Sequence, residues 1–131
     1  MIELKLIDKS YGNQKILDKI SLNIKRGEFI SIVGPSGAGK TTLLNIIGTI
    51  EDFDKSEKSK FLINSQDLTK LSDKNLSKFR NDNIGFVFQF HQLLPELTVE
   101  ENILLPTMIK GSYKDNSDKH FNELISTLGI G

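Results

Sequence analysis

The feature that most constrains the fold is a glycine-rich segment that lies between an apolar run and a helical repeat. The segment is Gly34-Pro35-Ser36-Gly37-Ala38-Gly39-Lys40-Thr41-Thr42, and it fits the pattern G-x-x-x-x-G-K-[ST]. Residues 28–33, directly before it, form a short apolar run of strand type. Apolar residues follow it at helical spacing: Leu43, Ile46, Ile47 and Ile50. This order predicts a strand, a glycine loop and a helix within an α/β domain.

The residue types of this loop suit the binding of a triphosphate. The glycines leave successive backbone N–H groups free to point at an anion, because no side chain blocks the approach. The helix that begins near Gly39 directs its N-terminal dipole at the same anion. Lys40 adds a charge that can reach the β- and γ-phosphates, and the Thr41 hydroxyl is placed to ligate Mg²⁺. We therefore predict a nucleotide site over Gly34 to Thr42; the alternative is a chance match before an ordinary helix.

Length and composition limit the remaining choices. A chain of 131 residues suits one domain, although it is short for an α/β domain with a complete parallel sheet. Seventeen basic and seventeen acidic residues cancel, so no overall charge favours nucleic acid or an anionic membrane surface. The absence of cysteine excludes disulfides and thiolate metal sites. No apolar run approaches the ~18 residues of a spanning helix, so we expect a cytoplasmic chain that meets membranes only through a partner.

Periodicity predicts antiparallel strands before the loop. Alternating apolar residues favour a strand over residues 2–7, a turn at 10–13 and a second strand over 16–24. After the loop helix, the charged segment 51–60 is interpreted as a solvated loop without assignable chemistry. Further on we predict a short strand at 61–63, a turn at Asn64-Ser65, and a polar helix ending near Arg80.

The second half of the sequence begins with another strand and then becomes helical. The continuous apolar run 84–88 is typical of a strand covered on both faces, and Gln89 stands at its end. Ligands of open α/β sheets bind at the carboxyl ends of strands, which favours a functional role for Gln89. Thr98 and Glu101 fit a capping box, with an apolar helical face before Pro106. Apolar residues recur at helical spacing up to Leu128, and Gly129 is a natural stop.

Two blocks together, Gly34 to Thr42 and Ile84 to Ile103, resemble the ATP-binding subunit of ABC transporters. The second block resembles the subfamily that drives lipoprotein release and macrolide export. This resemblance implies a P-loop NTPase core with N-terminal antiparallel strands over residues 1–89, and a Q-loop with part of a helical subdomain over 90–131. It also implies that ATP and Mg²⁺ are the cofactors, and that the subunit powers substrate export by binding and hydrolysing ATP.

The resemblance implies further roles for single residues. Tyr11 matches an aromatic that stacks on adenine, and the alternative is an ordinary turn tyrosine. Gln89 matches a catalytic glutamine that approaches Mg²⁺ and the attacking water, and the alternative is a polar strand end. The segment Phe90–Asn102 matches the surface that receives a transmembrane subunit. Three leucines there fit either an interaction patch or a local core: Leu93, Leu94 and Leu97.

The sequence also departs from the family pattern. The segment 51–60 lacks the usual Pro and Gly turn, and Asn64-Ser65 stands where a glycine is common. The signature Leu-Ser-Gly-Gly-Gln, the Mg²⁺ aspartate, the catalytic glutamate and the switch histidine would follow Gly131, and none is in this sequence. We therefore expect an incomplete sheet with unpaired apolar edges, an isolated chain that is marginally stable, and ATP binding without turnover.

Two interpretations of the whole chain remain. In the first, it is the N-terminal part of a transporter ATPase that pairs with a second copy and sits on the inner face of the membrane through its partner. In the second, it is a non-catalytic nucleotide-binding or regulatory module that docks to the transporter. The sequence after Gly131 would separate them. Specificity for the transported substrate is expected to lie in the membrane partner.

Overall fold

The computed structural model describes residues 1–90, 92–111 and 119–129. The strands are β1 (Ile2–Tyr11), β2 (Gln14–Ile24), β3 (Lys60–Ile63) and β4 (Gln66–Asp67). The helices are α1 (Lys40–Ile47), α2 (Asp73–Asn83), α3 (Val99–Lys110) and α4 (Lys119–Leu128), and a single 3-10 turn, Leu68–Lys70, follows β4. Contacts divide the chain into an N-terminal unit, Met1–Phe86, and a C-terminal unit, Val87–Gly131. The domain boundary predicted at residue 89 remains a prediction.

The four strands form one antiparallel sheet in the order β2-β1-β3-β4. β1 and β2 are joined by the two-residue turn Gly12-Asn13, as the sequence predicts, and pair from Tyr11 with Gln14 to Ile2 with Ile24. Register shifts near Leu6 and Lys19, both with positive φ, bend this hairpin. The predicted antiparallel strands before the phosphate loop are therefore confirmed.

The Asn64-Ser65 turn joins β3 to β4 with an unusual choice of residues. Asn64 and Ser65 have φ angles of 50° and 67°, as a two-residue type I′ hairpin turn requires. A glycine would adopt this conformation without strain, whereas Ser65 has a Cβ that opposes it. The ammonium of Met1 donates to Asn64 Oδ1 at 2.9 Å, and this hydrogen bond stabilises the turn against the strain at Ser65. The predicted turn is present without the usual glycine.

Two predicted strands, residues 28–33 and 84–88, are not strands in the structure. Within the described residues neither segment joins a β ladder, although a strand is defined by hydrogen bonds to a neighbour. Three of their apolar side chains are almost fully exposed, Phe29 at 97%, Val33 at 85% and Val87 at 99%, whereas Ile84 and Phe86 are partly buried. The strand predictions are therefore wrong for this chain, while the predicted incompleteness of the sheet is confirmed.

The core of the N-terminal unit lies between the sheet and helices α1 and α2. Ile46 of α1 and Ile7 of β1 are fully buried, and Phe53 packs edge-on against Phe61 with ring centroids 6.3 Å apart. Phe79 brings α2 into the same cluster. The other buried members are Leu4, Leu17, Ile63 and Leu68. Burial of these side chains places the N-terminus of α1, and therefore the glycine loop, beside the β1–β2 hairpin.

Helices α3 and α4 belong to the C-terminal unit. The predicted capping box is confirmed, because Thr98 Oγ1 accepts from Glu101 N–H and the Glu101 carboxylate accepts from Thr98 N–H. The helix continues through Pro106 to Lys110, further than the sequence pattern indicated, and ends at Gly111 in the left-handed region. Gly129 has a φ of 67° directly after α4, which confirms it as the stop. Among the helices in the described ranges, none has the length and apolarity needed to cross a bilayer.

Candidate functional site: a phosphate-binding loop

The glycine loop turns sharply into helix α1. Gly37 and Gly39 have φ angles of 79° and 82°, a region that residues with a Cβ rarely adopt. The N–H of Ala38 donates to Pro35 O at 3.3 Å and closes one turn of the loop. Gly39 is the N-cap of α1 without a side-chain cap, so no side chain of that residue screens the first N–H groups of the helix. This geometry suits an anion held at a helix N-terminus.

The loop rests directly on strand β2. A Cβ placed on Gly39 would lie 2.9 Å from Leu17 Cδ2 and 3.2 Å from the carbonyl oxygen of Ile16. Leu17 is buried in the core, so it cannot move aside without cost. Gly39 is therefore needed for two reasons, its backbone conformation and its close approach to the hairpin.

Lys40 folds back over the loop from the first position of α1. Its ammonium donates to Gly34 O at 2.8 Å and to Pro35 O at 2.6 Å. Thr41 is exposed and Thr42 is partly buried, whereas the loop residues from Gly34 to Ala38 are all exposed. The structure thus brings the whole predicted loop together in the N-terminal unit, with Thr41 exposed and Lys40 partly buried against the loop.

Tyr11 lies at the end of β1 and is held by two charged side chains. Its hydroxyl donates to Glu51 Oε1, and Lys9 Nζ lies over its ring, 5.0 Å from the centroid. Lys9 and Glu51 also form an ion pair at 3.2 Å, with side chains only 14% and 20% exposed. Tyr11 itself is 50% exposed. We call Lys9, Tyr11 and Glu51 the Tyr11 cluster.

Sequence reasoning missed Lys9 and Glu51. The alternation of β1 could have placed Lys9 on the same face as Tyr11. Glu51 gave no such signal, because it begins a charged segment that was interpreted as solvated, and it meets Tyr11 across 40 residues of chain. Desolvation raises the pKa of the Glu51 carboxyl, but hydrogen bonds from Tyr11 and Lys9 outweigh it and leave that pKa below its usual value. Glu51 is therefore a charged acceptor at neutral pH.

Gln89 and the predicted docking segment lie in the C-terminal unit. Gln89 is exposed, in a bend that precedes the segment 92–98, while His91 lies outside the described residues. Leu93 and Leu94 are 62% and 45% exposed, and Leu97 is partly buried. The exposure of the first two favours an interaction patch over a local core. The roles predicted for Tyr11 and Gln89 remain predictions.

Asn102 organises the predicted docking segment, and sequence reasoning did not single it out. Its amide nitrogen donates to the carbonyl oxygens of Leu94, Leu97 and Thr98 at 3.0, 3.1 and 2.9 Å. Its Oδ1 accepts from Leu94 N–H at 2.8 Å. These bonds tie the segment to the first turn of α3, so that the leucines are presented from an ordered loop.

A glycine loop that rests on a hairpin and continues into a helix with Lys40 and Thr41 at its start is the arrangement of the P-loop class of proteins. The family model described as ABC transporter matches residues 17–131. The chain belongs to the ABC transporter family, as the sequence resemblance indicated. Because the model covers both the loop and the second sequence block, the match does not depend on the loop alone.

Characterised relatives match over nearly the whole chain. The lipoprotein-releasing system ATP-binding protein LolD of Bacteroides thetaiotaomicron is 46% identical over 130 residues, which cover 99% of this chain and 58% of LolD. The bacitracin export ATP-binding protein BceA of Halalkalibacterium halodurans is 41% identical, with 99% of this chain and 52% of BceA covered. The chain therefore spans somewhat more than half the length of these relatives.

Solved structures confirm the predicted fold class. A dimeric structure of the ABC transporter cassette MJ0796 has a TM-score of 0.76 and 41% identity, covering 92% of this chain and 51% of that one. A second dimeric structure of MJ0796, bound to ADP and Pi, has a TM-score of 0.83 and 38% identity. The match covers 98% of this chain and 56% of the MJ0796 chain. The chain thus has the fold of about half of an ABC-type ATPase cassette.

Proposed function

We propose that this chain is the ATP-binding part of a transporter ATPase and that it holds Mg²⁺-ATP on the loop from Gly34 to Thr42. The observation that carries the proposal is the position of Lys40, whose ammonium is hydrogen-bonded to two carbonyl groups of the loop. A triphosphate in the loop offers this cation stronger, charged acceptors than carbonyl oxygens. Thr41 would ligate Mg²⁺, and Gln89 would approach the metal and the attacking water.

The base of the nucleotide would stack on Tyr11. Half of this side chain is exposed, and it stands on the hairpin whose second strand contacts Gly39. The names of LolD and BceA, both ATP-binding proteins, and the ADP and Pi in one MJ0796 structure support a nucleotide as ligand. In the complete protein, ATP binding and hydrolysis would power export of a substrate selected by the membrane subunit.

Isothermal calorimetry tests the nucleotide site. Lys40→Ala should weaken Mg²⁺-ATP binding roughly ten- to hundredfold, since hydrogen bonds between charged groups are worth about 1.5–3 kcal/mol. Lys74→Ala is the matched control, because Lys74 also lies in the first turn of a helix, α2, and is exposed. The control should bind like the unmodified chain. Equal ATP affinity in Lys40→Ala would refute the assignment.

We also propose that the segment Phe90–Asn102 receives a transmembrane subunit and so brings the protein to the inner face of the membrane. The exposure of Leu93 and Leu94 and the ordering of their loop by Asn102 support a docking role. The complete protein would pair with a second copy, as the dimeric MJ0796 structures suggest.

Membrane fractionation in cells that contain the partner subunit tests the docking surface. Leu93→Ser combined with Leu94→Ser should shift the chain from the membrane fraction to the soluble fraction. Ile109→Ser, which removes a 70% exposed apolar residue from α3 in the same unit, is the control and should not. An unchanged membrane fraction in the double variant would contradict this surface.

A further inference from the structure

Two members of the Tyr11 cluster, Lys9 and Tyr11, lie on the hairpin that contacts the glycine loop. Tyr11 pairs with Gln14 across the turn, and Ile16, two residues further along β2, contacts the Cα region of Gly39. The ring and the loop are therefore attached to the same short stretch of sheet. A ligand whose phosphates lie in the loop would have its other end close to this hairpin.

Two interactions restrain the Tyr11 ring. The hydrogen bond from the Tyr11 hydroxyl to Glu51 fixes the far end of the ring, and the ammonium of Lys9 covers one face of the ring. Lys9 is itself anchored, since it donates to Asp52 O at 2.7 Å and pairs with Glu51. A tyrosine has only two side-chain torsions, so a contact at the hydroxyl and one at the ring face leave it little freedom. The ring is fixed although half of it is exposed.

A fixed, exposed aromatic ring differs from an ordinary turn tyrosine. An unrestrained ring must be immobilised when a ligand stacks on it, at a cost in side-chain entropy. Here the protein itself has already ordered the ring. The face that Lys9 covers is occupied, which directs a planar ligand to the opposite face.

We propose that Glu51 and Lys9 are positioning residues that hold the Tyr11 ring for stacking on the base of the nucleotide. The proposal rests on the nucleotide-binding function proposed above, and adds that ATP affinity depends on two residues outside the phosphate loop. Glu51 acts as the acceptor that sets the ring angle, and Lys9 closes the face that the base does not use. Neither residue contributes to holding the phosphates.

Calorimetry with two ligands, Mg²⁺-ATP and inorganic tripolyphosphate with Mg²⁺, separates base positioning from phosphate binding. Tyr11→Phe keeps the ring and removes only the hydroxyl, while Glu51→Ala removes the acceptor together with the ion-pair partner of Lys9. Each should weaken ATP binding about three- to tenfold, the range of one hydrogen bond, and leave tripolyphosphate binding unchanged. Because both delete the bond between the Tyr11 hydroxyl and Glu51, the double variant should bind ATP no more weakly than Glu51→Ala alone.

One conservative variant and one control variant complete the test. Glu51→Gln keeps a carbonyl oxygen for the Tyr11 hydroxyl, and Lys9 keeps its bond to Asp52 O, so ATP affinity should return to within about twofold of the unmodified chain. Asp18→Ala is the control, because Asp18 is a carboxylate on the same hairpin that pairs with Lys15 instead. It should change the affinity for neither ligand.

The possible failures are distinguishable. Unchanged ATP affinity in Tyr11→Phe and Glu51→Ala overturns the positioning role, as does an equal loss for tripolyphosphate, which would mean that the cluster supports the fold or the loop. Additive losses in the double variant also overturn it, because they would show independent effects. If Lys40→Ala binds both ligands normally, the nucleotide site itself is wrong, and the positioning proposal falls with it.

Discussion

The ring of Phe86 lies directly against Gly48, the residue that ends helix α1. A Cβ on Gly48 would lie 1.9 Å from Phe86 Cε2, far closer than two carbon atoms can approach. Gly48 has a φ of −73° and a ψ of 0°, which any residue can adopt, so the requirement for glycine here is purely steric. This contact joins the helix of the glycine loop to the segment 84–88, which forms no ladder among the described residues.

Gly48→Ala should therefore destabilise the chain. Overpacking of this kind lowers the free energy of unfolding by about 1–3 kcal/mol, as urea denaturation can measure. Gly85→Ala is the matched control, since a Cβ there meets nothing within 4 Å, and it should change stability by less than about 0.5 kcal/mol. Combining Gly48→Ala with Phe86→Leu should restore part of the lost free energy of unfolding. Full stability of Gly48→Ala would contradict the observed contact.

Thr49 has a strained backbone and a buried hydroxyl. Its φ is 57°, only 6% of the residue is exposed, and its Oγ1 has no hydrogen-bond partner among the described residues. Thr49→Gly should raise the free energy of unfolding by about 1 kcal/mol, because relief of the strain and of the unpaired hydroxyl outweighs the lost burial of one methyl group.

Thermal unfolding checks the Thr49 prediction. Thr42→Gly, in the helical backbone of α1, is the control and should lower stability by about 1 kcal/mol, because glycine is costly inside a helix. Opposite signs for the two substitutions are the expected outcome. A loss of stability in both would mean that the left-handed conformation of Thr49 carries no strain.

The capping box of α3 should contribute to acid sensitivity. The backbone N–H of Thr98, and then its hydroxyl, lower the pKa of Glu101. A carboxyl with a lowered folded-state pKa stabilises the fold above its unfolded pKa of about 4.3, and this contribution is lost as pH falls through the lower folded value. Glu101→Gln keeps an acceptor that does not titrate, so stability should fall less steeply in this range.

Circular dichroism melts between about pH 6 and about pH 2 measure this effect. Glu100→Gln is the control, since Glu100 also lies in the first turn of α3 and shares its dipole but not the capping box. The Glu100→Gln variant should lose stability with falling pH almost as steeply as the unmodified chain. Identical curves for the unmodified chain and Glu101→Gln would contradict the role given to the box.

The exposed segment 28–33 should cause the isolated chain to self-associate. Phe29 and Val33 are 97% and 85% exposed, and the backbone beside them belongs to no ladder within the described residues, as in an open sheet edge. Phe29→Ser with Val33→Ser should weaken association about tenfold or more in sedimentation experiments.

The control for this prediction is Ile109→Ser, an exposed apolar site on a helix whose backbone hydrogen bonds are internal. It should leave association nearly unchanged. A monodisperse monomer at every concentration would contradict this prediction. A cooperative thermal transition of that monomer would also contradict the expectation of marginal stability.

The sequence by itself determined the features that depend on near neighbours. The glycine loop and the start of α1, the β1–β2 hairpin and the capping box at Thr98 and Glu101 could all be predicted. Each depends on the φ preference of a residue, on a spacing of two to four positions, or on a side chain that reaches its own backbone.

Only the tertiary structure decided which distant residues meet. Glu51 reaches Tyr11 across 40 residues, and Phe86 packs on Gly48, although neither pairing leaves a local signal in the sequence. The segments 28–33 and 84–88 have strand composition and form no strands, because a strand requires hydrogen bonds to a neighbour as well as suitable side chains. Composition sets the strand preference of a segment, whereas the fold of the whole chain decides whether a neighbouring strand is available to pair with it.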